Sequence, residues 1–279
     1  METKMFKMKI ERETLTELIL LLFEEYGYDF RNYSLSHIER RVDSWLSKNM
    51  LTVSDNITAL VKKDKALAHS LIHQFSISVT EMFRDPELFL NIREKVIPVL
   101  ATYPFVRIWH AGCATGEEVY SMAILLKEEG ILDKCKIYAT DFNQSVLDTA
   151  SKGIYPKDKM LEYTVNYYKS GGKKALTNYF ESQYEAIIMN QELKQNIVWA
   201  NHNLATDASF NEFHFIVCRN VLIYFNEELQ LKVLQLFDES LVNHGFICLG
   251  DRESIKQDGL NKNVTILDVA NKIYQLSCF

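Results

Sequence analysis

The chain has 279 residues, of which 47% are apolar, 12% aromatic and 24% charged. A chain this long buries a sizeable core without disulfides or metals, and 10 glycines and 4 prolines exclude collagen-like, low-complexity and disordered classes. The net charge is −6; the first 75 residues are balanced and the acidic excess lies beyond them, which argues against a nucleic-acid partner, since such proteins present a basic field. The longest apolar run, Leu18–Phe23, has six residues, far short of the ~20 that span a bilayer. The N-terminus lacks an apolar signal core. A cytoplasmic protein without membrane insertion is expected. Five cysteines (Cys113, Cys135, Cys218, Cys248, Cys278) without a CxxC pair fit reduced thiols. His69 and His73 stand at i,i+4 but lack a nearby third ligand, so no metal is expected.

Residues 1–75 predict helices alone. Leu15, Leu18, Ile19, Leu22, Phe23 and Tyr26 form one apolar face that Gly27 ends. A second helix is expected at 36–48 with Ile38, Val42, Trp45 and Leu46 inward, a third at 56–63 and a fourth at 66–75. A linker and lead-in helix follow over 76–104.

From about residue 105 short apolar runs alternate with amphipathic stretches. Strands are expected at 106–112, 136–141, 197–203, 214–218 and 246–250, and helices at 117–128, 145–151 and 227–241. Such alternation predicts an α/β fold with a parallel sheet covered on both faces. The last segments, VTILDV and KIYQLSC, read as an antiparallel pair at its edge. Residues 155–196, rich in Tyr, Lys and Asn, interrupt the pattern as an insertion with a helix and short strands.

Ligands of such sheets bind beyond the carboxyl ends of the strands. The first strand ends in Gly112, Cys113, Ala114, Thr115, Gly116, Glu117, Glu118, which is neither GxGxxG nor GxxxxGK. Two carboxylates at a helix N-terminus repel phosphate. They suit a ligand with hydroxyls or a positive charge, such as S-adenosylmethionine, although both could do no more than cap the helix. Asp141 ends the second strand, where an acid commonly binds ribose hydroxyls; an N-cap is the alternative. Arg219 and Asn220 end the fourth core strand, and Tyr224 lies four residues further on.

The strings SVTEMFRDP (78–86), WHAGCATGEEVYSMA, YATDF, NHNL and FIVCRNVLIYF, in this order, resemble the CheR-type chemotaxis receptor methyltransferases, which are protein-glutamate O-methyltransferases. The resemblance covers about residues 20–279. It implies an all-α domain (1–75) followed by a Rossmann-like methyltransferase domain (105–279) with a small β insertion (about 155–196) and an antiparallel terminal strand. The cofactor implied is S-adenosylmethionine, contacted by Ser78, Thr80, Arg84, Gly112, Ala114, Glu118, Asp141, Asn203, Leu204, Arg219 and Asn220. Arg84 and Tyr224 match residues that engage the incoming glutamate. Arg40 and Arg41 match a basic helix facing the partner, the cytoplasmic helical region of chemoreceptors. A monomer is expected.

A carboxylate is already a nucleophile and a sulfonium already activates its methyl group, so no strong general base is required. The protein has to align the reacting atoms and strip water from the carboxylate. An arginine fork at position 84 suits that task.

This sequence departs from the family in places. Glu39 and Asp43 dilute the basic helix, which leaves open another signalling protein or a small carboxylate as acceptor, or a module that binds the donor without turnover. YFESQYEAIIMN (179–190) lacks the glycine loop that grips a receptor's terminal peptide in some members, so no such tether is expected. The family's later Ser-Glu is displaced into DRES (251–254), which reads as tolerated turn variation.

Overall fold

The computed structural model describes residues 10–53, 55–75, 80–255 and 260–278. They divide into two compact units. The first holds residues 10–75 together with Tyr224–Gln230; the second holds residues 80–223 and 231–278.

The first unit is helical. Helix α1 (Arg12–Tyr26) buries Leu15, Leu18, Ile19, Leu21 and Leu22. It ends at Gly27, whose φ of 76° is open to glycine at little cost, and the amides of Gly27 and Tyr28 return to Phe23 and Leu22. Helix α2 (Leu35–Lys48) buries Ile38, Val42, Trp45 and Leu46, as its spacing predicts, and also His37. Helix α3 (Ile57–Lys63) is capped by the Asn56 side chain, which accepts from the Ala59 amide. Asp64 does the same for α4 (Lys65–Phe75) through the Ala66 and Leu67 amides.

The second unit opens with α5 (Pro86–Asn91), a π-turn (Ile92–Val96) and α6 (Ile97–Leu100). Strand β1 (Val106–Ala111), α7 (Glu117–Glu128), β2 (Cys135–Asp141) and α8 (Gln144–Lys152) follow. The insertion contains β3 (Ile154–Pro156), α9 (Met160–Lys169), β4 (Phe180–Gln183) and β5 (Ala186–Met189). Beyond it come α10 (Gln191–Lys194), β6 (Ile197–Asn201), β7 (Phe213–Cys218), α11 (Glu227–Ser240), β8 (Leu241–Leu249), β9 (Lys262–Asp268) and β10 (Ile273–Cys278). Strand β6 is shorter than the expected 197–203 and leaves Asn203 beyond its carboxyl end.

The main sheet has the order β6-β2-β1-β7-β8-β10-β9. The first five are parallel, and β10 and β9 run antiparallel at the edge. The chain steps outward from β1 to β2 and β6, then returns to the other side of β1 with β7. That reversal opens a crevice at the carboxyl ends of β1 and β7. Side chains buried on both faces, among them Ile108, Ile137, Phe215 and Ile247, explain why these strands read as apolar runs rather than alternating ones.

The insertion folds as an antiparallel sheet, β3-β5-β4, beside α9. It is pinned by Glu128, whose buried carboxylate accepts from the Tyr167 and Tyr179 hydroxyls, the Lys173 amide and Arg93. No helix among the described residues is long and apolar enough to cross a membrane.

Candidate functional site

The crevice is built from the ends of β1, β2 and β7. The Gly112 and Cys113 amides donate to the Thr140 carbonyl at 2.8 and 2.9 Å, which curls the turn after β1 over the end of β2. Asp141 then binds both sides of that fold: its carboxylate accepts from Ala114 N at 3.1 Å and Asn143 N at 3.0 Å. Burial raises its pKa, and these amides oppose the shift. Gly112 has φ 75°, and a Cβ there would lie 2.5 Å from Val221 Cγ2, so the turn requires glycine twice over.

Arg219, at the end of β7, is buried. Its Nη1 donates to Glu118 Oε2 at 2.5 Å, and its Nη2 to the Asp85 carboxylate. Burial pushes the Glu118 carboxyl up, but Arg219 and His110 outweigh it and bring the pKa from 4.5 to about 2. The nitrogen His110 Nδ1 stands 3.7 Å from Glu118 Oε1, while Nε2 is buried without a partner among the described residues. Glu118 is therefore more than a helix cap: the N-cap of α7 is Gly116, and the Glu118 carboxylate is turned to Arg219. The neighbouring Glu117 accepts from Thr115 Oγ1 at 2.6 Å.

The segment carrying Arg84 is fixed at both ends. The Phe83 amide donates to Ser121 Oγ of α7 at 2.8 Å, and Asp85 is tied to Arg219. Phe83 and Asp85 both have positive φ, 53° and 54°, so the backbone is strained on either side of Arg84. Arg84 itself is part-exposed and makes no ion pair among the described residues. Thr80 is part-buried at the start of this segment, and Ser78 lies outside the described residues.

Asn203 and Leu204 follow β6 and reach the same rim, since the His202 amide donates to the Asp141 carbonyl at 3.2 Å. The Asn203 oxygen is engaged in its own turn, accepting from Ala205 N. The structure thus brings Gly112, Ala114, Glu118, Asp141, Asn203, Leu204, Arg219 and Asn220 to one end of one sheet. Arg40, Arg41 and Tyr224 belong to the other compact unit.

Glu253 corrects the sequence reading of DRES as turn variation. It is buried, and its carboxylate accepts from four amides: Asn220, Val221, Ile223 and Gly250. It thereby holds the loop in which Asn220 takes the left-handed φ of 59°. Its sequence signal was an acidic residue in the loop where the family's later Ser-Glu is displaced. Asp85 and His110 were likewise passed over in the sequence.

The residues fit S-adenosylmethionine. Asp85, Glu117, Glu118 and Asp141 outnumber Arg84 and Arg219, so the rim is net negative and suits a sulfonium and an ammonium while opposing phosphate. Among the described residues no group of three His, Cys, Asp or Glu side chains could hold a metal ion.

Residues 78–270 match the family described as CheR methyltransferase, SAM binding domain. Cher3 of Pseudomonas putida is 47% identical over 252 residues, 89% of this chain and 92% of that protein. A 104.1 kDa protein of Rhodobacter capsulatus is 28% identical over 271 residues; the match takes in 94% of this chain but only 27% of that longer protein. A chemotaxis protein methyltransferase of Borreliella burgdorferi is 30% identical over 270 residues, 91% of this chain and 92% of its own. By the span of that match, and by its likeness to a chemotaxis methyltransferase along nearly the whole of both chains, this chain belongs to the CheR methyltransferase family.

Proposed function

We propose that the chain methylates glutamate side chains in the cytoplasmic helical region of chemoreceptors, using S-adenosylmethionine and leaving S-adenosylhomocysteine. The observation that carries this reading is the acidic rim at the sheet reversal, where Asp141, Glu118 and the Arg219–Asn220 loop converge beside the segment that holds Arg84. S-adenosylmethionine supplies a methyl group already activated on sulfonium.

In this reading Asp141 receives the ribose hydroxyls, and Asn203 and Leu204 flank the base. The rim's negative charge favours the donor's cationic end. Arg84 holds the acceptor carboxylate through a planar fork and fixes its direction, and Tyr224 supplies a hydrogen bond or shapes the slot. Alignment of oxygen, methyl carbon and sulfur is the main contribution of the protein, because neither reactant needs a proton moved.

A second acceptor class has an observation in its favour. On α2, Arg40 is exposed, but Arg41 is part-buried with its Nε shielded from solvent, and burial lowers its pKa. Together with Glu39 and Asp43, this leaves a weak basic face for an acidic receptor helix.

Pure protein incubated with methyl-labelled S-adenosylmethionine and membranes of its own host tests the reading. Label released as volatile methanol by mild alkali is expected. Alkali-stable label, or none, would overturn the glutamate-ester assignment.

A further inference from the structure

Tyr224 reaches its place through the first compact unit. The stretch 224–226 runs antiparallel along 32–34: the Ser34 amide donates to the Tyr224 carbonyl at 2.8 Å and the Asn226 amide to the Asn32 carbonyl at 2.9 Å. Between them Tyr33 and Phe225 pair, their rings edge to face at 5.0 Å. These bonds fix the backbone of Tyr224, and its side-chain torsions depend on the groups around the ring, Arg41 and His37 among them.

His37 faces it. It lies in the first turn of α2, three residues after Ser34, and its ring centroid is 4.4 Å from that of Tyr224 at 40°. The imidazole is itself fixed: it is 3% exposed, and its Nε2 approaches the Phe75 carbonyl at 3.4 Å. Phe75 is the last residue of α4 and in turn packs edge to face on Phe30 at 4.9 Å. Burial, reinforced by Arg41 and Arg40, brings the His37 pKa down to about 4, so the ring is neutral at pH 7.

Filling space alone would not call for histidine here. Its Nδ1 is buried without a hydrogen-bond partner among the described residues, and an unsatisfied buried polar atom costs about 1–3 kcal/mol. An aliphatic residue would avoid that cost but would present no flat ring to Tyr224.

We infer that His37 is a positioning residue for Tyr224, fixing the phenol ring so that its hydroxyl meets the acceptor carboxylate in one orientation. The inference rests on the reading of Tyr224 as an acceptor-facing group. Its reach is specific: His37 acts on the methyl-transfer step through Tyr224 and not on donor binding, whose residues lie on other elements.

A double-mutant cycle on the full chain tests this, with kcat read as alkali-released methanol at saturating donor. His37→Ala is expected to lower kcat about tenfold, with S-adenosylhomocysteine affinity unchanged within about twofold. His37→Phe, which keeps a ring, restores most of the rate. His37→Ala in the Tyr224→Ala background adds no further loss. Multiplicative losses, or a wild-type rate for His37→Ala, overturn the inference while leaving the role of Tyr224 standing. A wild-type rate for Tyr224→Ala overturns the role of Tyr224 itself, and the inference with it.

A readout independent of turnover is 3-fluorotyrosine at position 224. It should give one sharp ¹⁹F resonance in the wild type and in His37→Phe, and a shifted, broadened one in His37→Ala. An unchanged resonance in His37→Ala would overturn the positioning role whether or not methanol is released.

Discussion

Arg219 and Glu118 are charges withdrawn from water that compensate each other, with Asp85 also on the guanidinium and His110 beside the carboxylate. The pKa of Glu118 is lowered on folding, from 4.5 to about 2, so its ionised form stabilises the fold above pH 4.5, and that contribution is lost as pH falls toward 2. Glu118→Gln should therefore flatten the stability profile between pH 4.5 and 2. At pH 7 it should cost on the order of 3 kcal/mol, because Arg219 is left under-paired; urea melts at three pH values measure both. Glu253 is a different kind of buried acid, held by amides rather than by a cation. Glu253→Gln keeps one acceptor oxygen and loses the other. We expect about tenfold weaker S-adenosylhomocysteine binding by calorimetry, with the far-ultraviolet dichroism unchanged. The positions of Glu118 and Asp141 at the carboxyl end of the sheet could be anticipated, because a strand end and a glycine turn announce themselves in sequence. Glu253 could not, since nothing local to DRES tells which amides, 30 residues upstream, its carboxylate will reach.

Among the elements, the parallel strands were legible because each is a short, largely apolar stretch between turn signals, and the helices because their apolar spacing is close to 3.6. The insertion was less so. Among the described residues its short strands pair only with one another, and its helix is held from outside its own sequence, by Glu128 at the end of α7 and by Arg93, which donates to the Ser170 carbonyl just past the helix. Removing Glu128 leaves Arg93 to Glu129 and the Ser170 carbonyl but takes the shared acceptor from two tyrosine hydroxyls, so Glu128→Ala should cost about 1–3 kcal/mol in urea unfolding. The turn after β1 is the converse case, where a glycine could be read from sequence but not the reason for it. Gly112→Ala meets Val221 at 2.5 Å and a φ of 75°. It should cost about 1–3 kcal/mol, and Val221→Ala in the same chain should recover part of the loss in Tm.

For the whole molecule, the periodicity at 227–241 predicts a helix, and one forms, but no pattern announced that residues 224–230 would complete the helical unit. Long-range pairing of 224–226 with 32–34 rests on backbone bonds, which any sequence can make. A fragment ending at residue 76 lacks that segment and exposes the edge it covers. It should melt at a lower temperature than the same helices in the intact chain, and a peptide spanning 222–232 added in trans should raise its Tm. No rise at saturating peptide would mean that the helices are self-sufficient.

That seven-residue return also bears on how such proteins diversify. Recombination that exchanges the N-terminal helices between relatives would separate Asn32, Ser34 and His37 from the residues they were matched to, 187 to 194 positions downstream. A hybrid joined at a single crossover would inherit a mismatched seam, whereas one that carries 224–230 along with the helices keeps it whole. Natural lineages should therefore show the two stretches travelling together.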